Sequence, residues 1–369
     1  MAVQDNPRHN LDPYLEWVAA EALPVAEDYG LDLFKVPTAP WPRFGISGAA
    51  VHLKGRGDFT NMFLYEIAPG LSTSPQQHLY EEVVYVLEGQ GSTQLEFGDG
   101  RRHHFEWGPH SLFAIPLNAK HRHFNGSGIA RALLVSTTNL PLVLNTFHNE
   151  KFVFGNDFNF PERVGKHEFL TGDGELALVR QGQNTWETNF VPDLGAIELQ
   201  SYAARGADSM NIMFVLADGL MHAHLSEMYS GTYKKAHRHA PGFHVMCVFG
   251  EGYSLMWYEG EPDFIRIDWG HGTVLAPADK QFHQHFATSA DPVRYLATAV
   301  GGLRYPFTTE NRRNFFGLKA GEMQSVALST KLGGDQIEYE DQDPRIHKTW
   351  LDAMKKSDVS PRMEKYIAT

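Results

Sequence analysis

The chain repeats itself. "HLYEEVVYVLEGQG" (His78 to Gly91) lies over "HAPGFHVMCVFGEG" (His239 to Gly252), so His78, Gly89 and Gly91 recur 161 residues later as His239, Gly250 and Gly252. "EWGPHSLFAIP" recurs as "DWGHGTVLAP", pairing Trp107 with Trp269 and Gly108 with Gly270 at an offset of 162, and Pro116 with Pro277 at 161. "KHRHFNGSG" recurs as "FHQHFATSA", carrying His121 and His123 onto His283 and His285, again at 162. A strand, a glycine turn, a Trp-Gly pair and an H-x-H at one offset mark a duplication, and what one copy folds into the other must also fold into.

Each copy consists of short runs rich in Val, Leu, Phe and Tyr, cut by turn signals such as "EGQG", "FGDG", "FGEG", "GEPD" and "GHG". That punctuation predicts an all-β sandwich or barrel per copy rather than βαβ units. Helices are expected only at the periphery. Asp12-Pro13 before "YLEWVAAEA" and Asp343-Pro344 before "RIHKTWLDAMKK" each read as an N-cap with proline in the first turn. In the second segment Ile346, Trp350, Leu351 and Met354 recur at helical spacing, which predicts an amphipathic helix that must dock to be stable. The expected organisation is a helical or extended segment over 1–44, a first barrel over 45–145, a connection over 146–205, a second barrel over 206–305 and a C-terminal extension with a helix over 306–369.

The 32 Lys and Arg against 44 Asp and Glu give a formal charge of −12 with no basic block, which argues against a nucleic-acid or anionic-membrane partner. No apolar run reaches the ~18 residues of a membrane span, and the N-terminus lacks a signal-peptide pattern, so a cytoplasmic protein is expected. Cys247 is the sole cysteine, expected to be a buried, inert thiol. "RGD" (Arg56 to Asp58) and the sequon "NGS" (Asn125 to Ser127) matter mainly outside cells and carry little weight.

The histidines carry the chemistry. His237 and His239, two apart on a strand, project together, and His283 follows His239 by 44 residues. Three imidazoles with coordination positions left open are the pattern of a catalytic metal site. In the first copy His78, Glu82 and His121 offer two imidazoles and a carboxylate, the donor set of non-haem Fe(II). His123 and His285, two residues beyond the last ligand of each set, are candidate catalytic acid/base groups. Arg238 alternates to the opposite face, and "RRHHFEW" (His103, His104) and "MHAH" (His222, His224) read as surface histidines.

Together these features resemble the cupin superfamily, and specifically bicupins. "QQHLYEEVVYVLEG" matches the first cupin motif at His78, Glu82 and Gly89, and "PLNAKHRHFN" matches the second at Pro116, His121 and Asn125. Gln76 stands where the family's first histidine belongs and Asn118 where a glycine does; Gln76 is a weak candidate ligand. "HRHAPGFHVMCVFGEG" looks like the iron-binding segment of gentisate-type ring-cleaving dioxygenases, with Phe243 in place of a glutamate. The resemblance implies two tandem double-stranded β-helix (jelly-roll) barrels and a metal-dependent oxidoreductase. The activity it implies is an Fe(II) dioxygenase cleaving a small oxygenated substrate, an aromatic diol or a dicarbonyl-like compound. Mn(II), Ni(II) and Zn(II) are compatible metals; a Mn-dependent decarboxylase, a metal-dependent isomerase and a non-catalytic small-molecule-binding or enzyme-activating cupin are the alternatives. The expected partners are the substrate, dioxygen and further copies of the chain.

Overall fold

The computed structural model describes residues 11–178, 184–240, 242–315, 318 and 322–367. The duplication is visible as two large sheets, each facing a small one. In the first half, an eight-stranded sheet runs through Ile46–Val51, Asn61–Ile67, Ala132–Thr138, Glu82–Glu88 and Leu112–Ile115, and a three-stranded sheet holds Lys120–Asn125, Gly91–Glu96 and Arg102–Trp107. In the second half, a nine-stranded sheet runs through Met210–Leu216, Met221–Met228, Val293–Val300, His244–Phe249 and Thr273–Leu275. Its five-stranded partner holds Ile265–Trp269, Gly252–Trp257, Phe282–Ala287, Ala236–His237 and Gln336–Ile337. The all-β expectation with two tandem barrels holds.

Why both large sheets read as unbroken apolar runs follows from their packing. In "EVVYVLE", Val84 and Val86 point into the first barrel's core while Val83, Tyr85 and Leu87 point out of it, into a second cluster. That second cluster is shared with Met246, Val248 and Leu296 of the other half, so the barrels pack back to back and the strands are apolar on both faces. Two strands cross the divide. Gly30–Asp32 pairs with Thr273–Leu275, and Phe190–Val191 pairs with Leu112–Ile115.

The two capped helices lie at the outer ends. Pro13–Ala20 is capped by the Asp12 carboxylate, which accepts from the Leu15 N–H at 3.0 Å, and buries Tyr14, Trp17 and Val18 in the first core. Pro344–Ser357, capped by Asp343, buries Ile346, Trp350, Ala353 and Met354 against Tyr233, Leu255 and Phe286 on the outside of the second small sheet. Leu351, counted in the apolar stripe from its spacing, is 40% exposed, because it lies one residue, about 100° around the helix, past the buried Trp350. Cys247 is buried. Among the described residues no helix is long and apolar enough to cross a membrane.

Near the seam, the Tyr14 hydroxyl meets His52 Nε2 at 2.6 Å, and His244 is wholly buried. Burial, with help from Arg56, pulls His52 down to about 4 and His244 to about 3. Below the ordinary value of 6.5 the unfolded chain takes up protons at these positions that the folded chain refuses, so stability must fall as pH drops from 6.5 towards 4. Denaturant titrations are expected to show roughly 2 kcal/mol less stability per group at pH 5 than at pH 7. Equal midpoints at the two pH values would contradict the burial of these rings in neutral form.

Candidate metal centre

The second small sheet builds the site. His237 pairs directly with His283 across the strands, and alternation brings His239 beside them. Ring centroids lie 4.1 Å apart for His237 and His283, 4.8 Å for His239 and His283, and 5.1 Å for His237 and His239. One nitrogen from each ring falls within 4.8 Å of the other two. The His283 Nδ1–H donates to the Gln281 carbonyl at 3.2 Å, which leaves Nε2 with its lone pair free; among the described residues His237 Nδ1 and His239 Nδ1 have no hydrogen-bond partner. Burial holds His283 at about 3 and keeps His237 and His239 well below the usual histidine range, Arg205 adding to the depression in both. Neutral imidazoles with unpartnered nitrogens are what a divalent metal requires, and in this respect the residues fit one.

These rings line a cavity with about 770 Å³ of non-atom space, part of it open to solvent. Its wall also carries Arg205, Lys234, His222, His224, His285 and Tyr295. His222 and His224, read from sequence as surface residues, are instead turned inward: His222 is 2% exposed, and its Nε2 meets His224 Nδ1 at 2.8 Å. The strand Met221–Met228 is internal to the sheet, flanked on both edges, so an H-x-H on it faces the barrel interior. Phe243, at the position of Glu82, sets its ring edge-on against His239 and His222. Arg238 points away as alternation requires, bonding Asp335 and Glu259.

In the first half the same register recurs: Gln76 bridges to His121 as His237 pairs with His283. His78 Nε2 lies 3.2 Å from Glu82 Oε2, and His121 Nε2 3.7 Å from it, while their Nδ1 atoms face the Tyr80 and Ala119 carbonyls. Tyr65 donates to the other carboxylate oxygen at 3.0 Å. Burial pushes the Glu82 carboxyl up, but the hydrogen bond and charge of His78, with His121 and His123, outweigh it and hold it below the carboxylate range. The surroundings differ from those of the second trio. His78, Glu82 and His121 are each 3% exposed or less, and Tyr80 stacks flat on His78 at 3.6 Å. The Gln76 amide nitrogen donates to the Arg43 and Ser74 carbonyls. Asn118 supplies the left-handed turn (φ 58°) that a glycine makes in the family motif, a conformation asparagine tolerates.

His123 and His285 also match. Thr93 Oγ1 lies 2.8 Å from His123 Nδ1 and accepts from Trp107 Nε1 at 3.0 Å; Ser254 Oγ lies 2.7 Å from His285 Nδ1 and accepts from Trp269 Nε1 at 2.9 Å. His103 bonds the Leu170 carbonyl, and His104 stays exposed.

No protein-family model and no curated protein sequence matches the chain. Solved structures do. The oxalate decarboxylase of Lactobacillus farciminis, in complex with formate, superposes with a TM-score of 0.50 at 11% identity, over 76% of this chain and 88% of that one. A variant of the Bacillus subtilis oxalate decarboxylase gives 0.48 at 12% identity, over 74% and 78%. The fold is that of a bicupin. At such identities the likeness speaks for the bicupin architecture alone, and it lends no support to the gentisate-type resemblance.

Sequence reasoning missed Arg205, Lys234 and the His222–His224 pair. The one signal for Lys234 was its place three residues before His237. A signal existed too for Trp269, which the repeat preserves. None existed for Arg205, or for Asn311, Asn314 and Gln324, which the C-terminal extension brings to the cavity wall from outside the repeat.

Proposed function

We propose that this chain is a divalent-metal-dependent enzyme in which His237, His239 and His283 hold the metal and the cavity beside them takes a small carboxylate. The observation that carries the reading is the wall of that cavity: neutral histidines, Arg205 and Lys234, and no Asp or Glu among the described lining residues. Both cations are buried, and their hydrogen-bond partners are neutral, namely the Val326 carbonyl and Gln336 for Arg205 and the Tyr295 hydroxyl for Lys234. Burial, and next the charge of Arg205, pulls the Lys234 ammonium well below its usual range. Charging Arg205 and Lys234 at this depth is costly, Glu338 and Glu227 offset it only in part, and a bound carboxylate would reduce the cost further.

A metal at the three imidazoles supplies Lewis-acid polarisation of a substrate oxygen. Arg205 and Lys234 orient the carboxylate, Phe243 shields the site from water, and His285 stands on the wall as a proton-bearing group. Decarboxylation suits this arrangement, because loss of CO₂ leaves an electron pair on carbon that must receive a proton. The bicupin likeness to an oxalate decarboxylase supports that class, and Mn(II), the metal of the decarboxylase alternative, is the one to test first. An Fe(II) dioxygenase is the second reading, since imidazole donors also suit iron.

Metal analysis followed by parallel CO₂-release and oxygen-uptake assays over small mono- and dicarboxylates, keto acids and diols separates the two. The decarboxylase reading expects CO₂ without oxygen consumption. Oxygen uptake with iron bound would establish the dioxygenase, and ligand binding in a metal-free, inactive protein would leave only a binding module. The first trio, each residue 3% exposed or less and with Tyr80 stacked on His78, is assigned a structural role.

A further inference from the structure

The two histidines of "HQH" make contrasting contacts through the same ring atom. His283 Nδ1 faces a carbonyl oxygen, which can only accept, so His283 carries its proton on Nδ1 and presents a lone pair at Nε2. His285 Nδ1 faces a hydroxyl. That hydroxyl already accepts the indole N–H of Trp269, and its own hydrogen has one acceptor in reach, His285 Nδ1. The hydrogen bonds are satisfied when Ser254 Oγ–H donates to Nδ1, which places the His285 proton on Nε2, the nitrogen left for the cavity that the ring lines.

The local sequence is built for this chain of contacts. Ser254 stands directly opposite His285, and Gly252 directly opposite Trp269. A side chain at Gly252 would collide with the Trp269 ring, so the glycine lets the indole lie across the strand and reach a hydroxyl two residues on. Gly91, Thr93, Trp107 and His123 repeat the device in the first barrel. There His123 Nε2 is buried without a partner, whereas its counterpart His285 lies on the cavity wall. The same construction thus ends blind in the closed barrel and opens on the ligand space in the other.

We infer that Ser254 and Trp269 are positioning residues that lock His285 as an Nε2–H donor aimed at substrate held beside His237, His239 and His283. The inference rests on reading those three as the metal seat, but its test does not. In protein labelled with ¹⁵N-histidine and kept metal-free, long-range ¹H–¹⁵N correlations report which nitrogen bears each proton, with His285 assigned by its disappearance in His285→Gln. His285 is expected as the Nε2–H tautomer and His283 as the Nδ1–H tautomer. Ser254→Ala should convert His285 to a mixture or to Nδ1–H, and Ser254→Thr, the residue the first barrel uses, should restore Nε2–H. Should Ser254→Ala fail to fold, the wild-type and Ser254→Thr spectra still decide. Nδ1–H on His285 in the wild type, or an unchanged tautomer in folded Ser254→Ala, would overturn the proposal. Formate titration of the Mn(II)-loaded protein is the second arm: about tenfold weaker binding is expected in Ser254→Ala, with recovery in Ser254→Thr. Equal affinity in all three forms would show that His285 does not donate to the ligand, while loss of metal itself would count against the three-histidine seat instead.

Discussion

Changing His239 to alanine is expected to remove the second-barrel metal while leaving the barrel standing. His239 Nδ1 has no protein partner, and the ring's contacts are with Phe243, His237 and His283, so its loss costs the fold little. Affinity falls by roughly 100-fold or more, since residues that merely orient a ligand already cost 10–100-fold when removed. Metal counted after equilibrium dialysis should drop by one ion per chain, turnover should fall to background, and the far-ultraviolet spectrum should be unchanged. His78→Ala in the closed site should leave turnover in place provided the protein folds. A His239→Ala protein that keeps its full metal content and activity would move the centre elsewhere.

The second large effect concerns the C-terminal helix. Trp350 is fully buried, edge-on to Tyr233 at 5.1 Å, and Tyr233 in turn touches Phe286 on a strand that carries His283 and His285. Trp350→Ala should cost about 3–5 kcal/mol, the usual range for emptying an aromatic site of this kind. Truncation before Asp343 should cost more, because it exposes Tyr233, Leu255 and Phe286 together. Denaturant unfolding measures both; a Trp350→Ala protein with an unchanged midpoint would show that the helix is not docked where the packing places it. The extension also adds Gln336–Ile337 to the sheet edge beside His237. Its loss is therefore expected to weaken the site as well as the barrel.

The duplication was legible because strand, glycine turn and histidine recur at a fixed offset, which carries His78 and His121 onto His239 and His283 while Glu82 falls on Phe243 and His237 on Gln76. Three matters were not legible. Whether a trio opens on a cavity depends on what covers it, and Tyr80, which closes the first, has no counterpart in the repeat that marks it as a lid. The His222–His224 pair lacked a matching pair in the first copy, where Asn61 and Phe63 occupy those strand positions, so repeat logic discounted it. Arg205 belongs to a short turn in the connection between the halves, and chain topology alone carries it to the cavity. Repeats report what two copies share; the features that distinguish the copies, a cavity wall carrying Arg205 and Lys234 in one and Tyr80 stacked on a buried His78 in the other, are the ones that point to function.

Anomalous X-ray diffraction from crystals of the Mn(II)-loaded protein locates the ion directly. The account predicts a peak among His237, His239 and His283, bordering the cavity that holds Arg205 and Lys234. A peak confined to His78, Glu82 and His121, with the second trio empty at saturating metal, would contradict it.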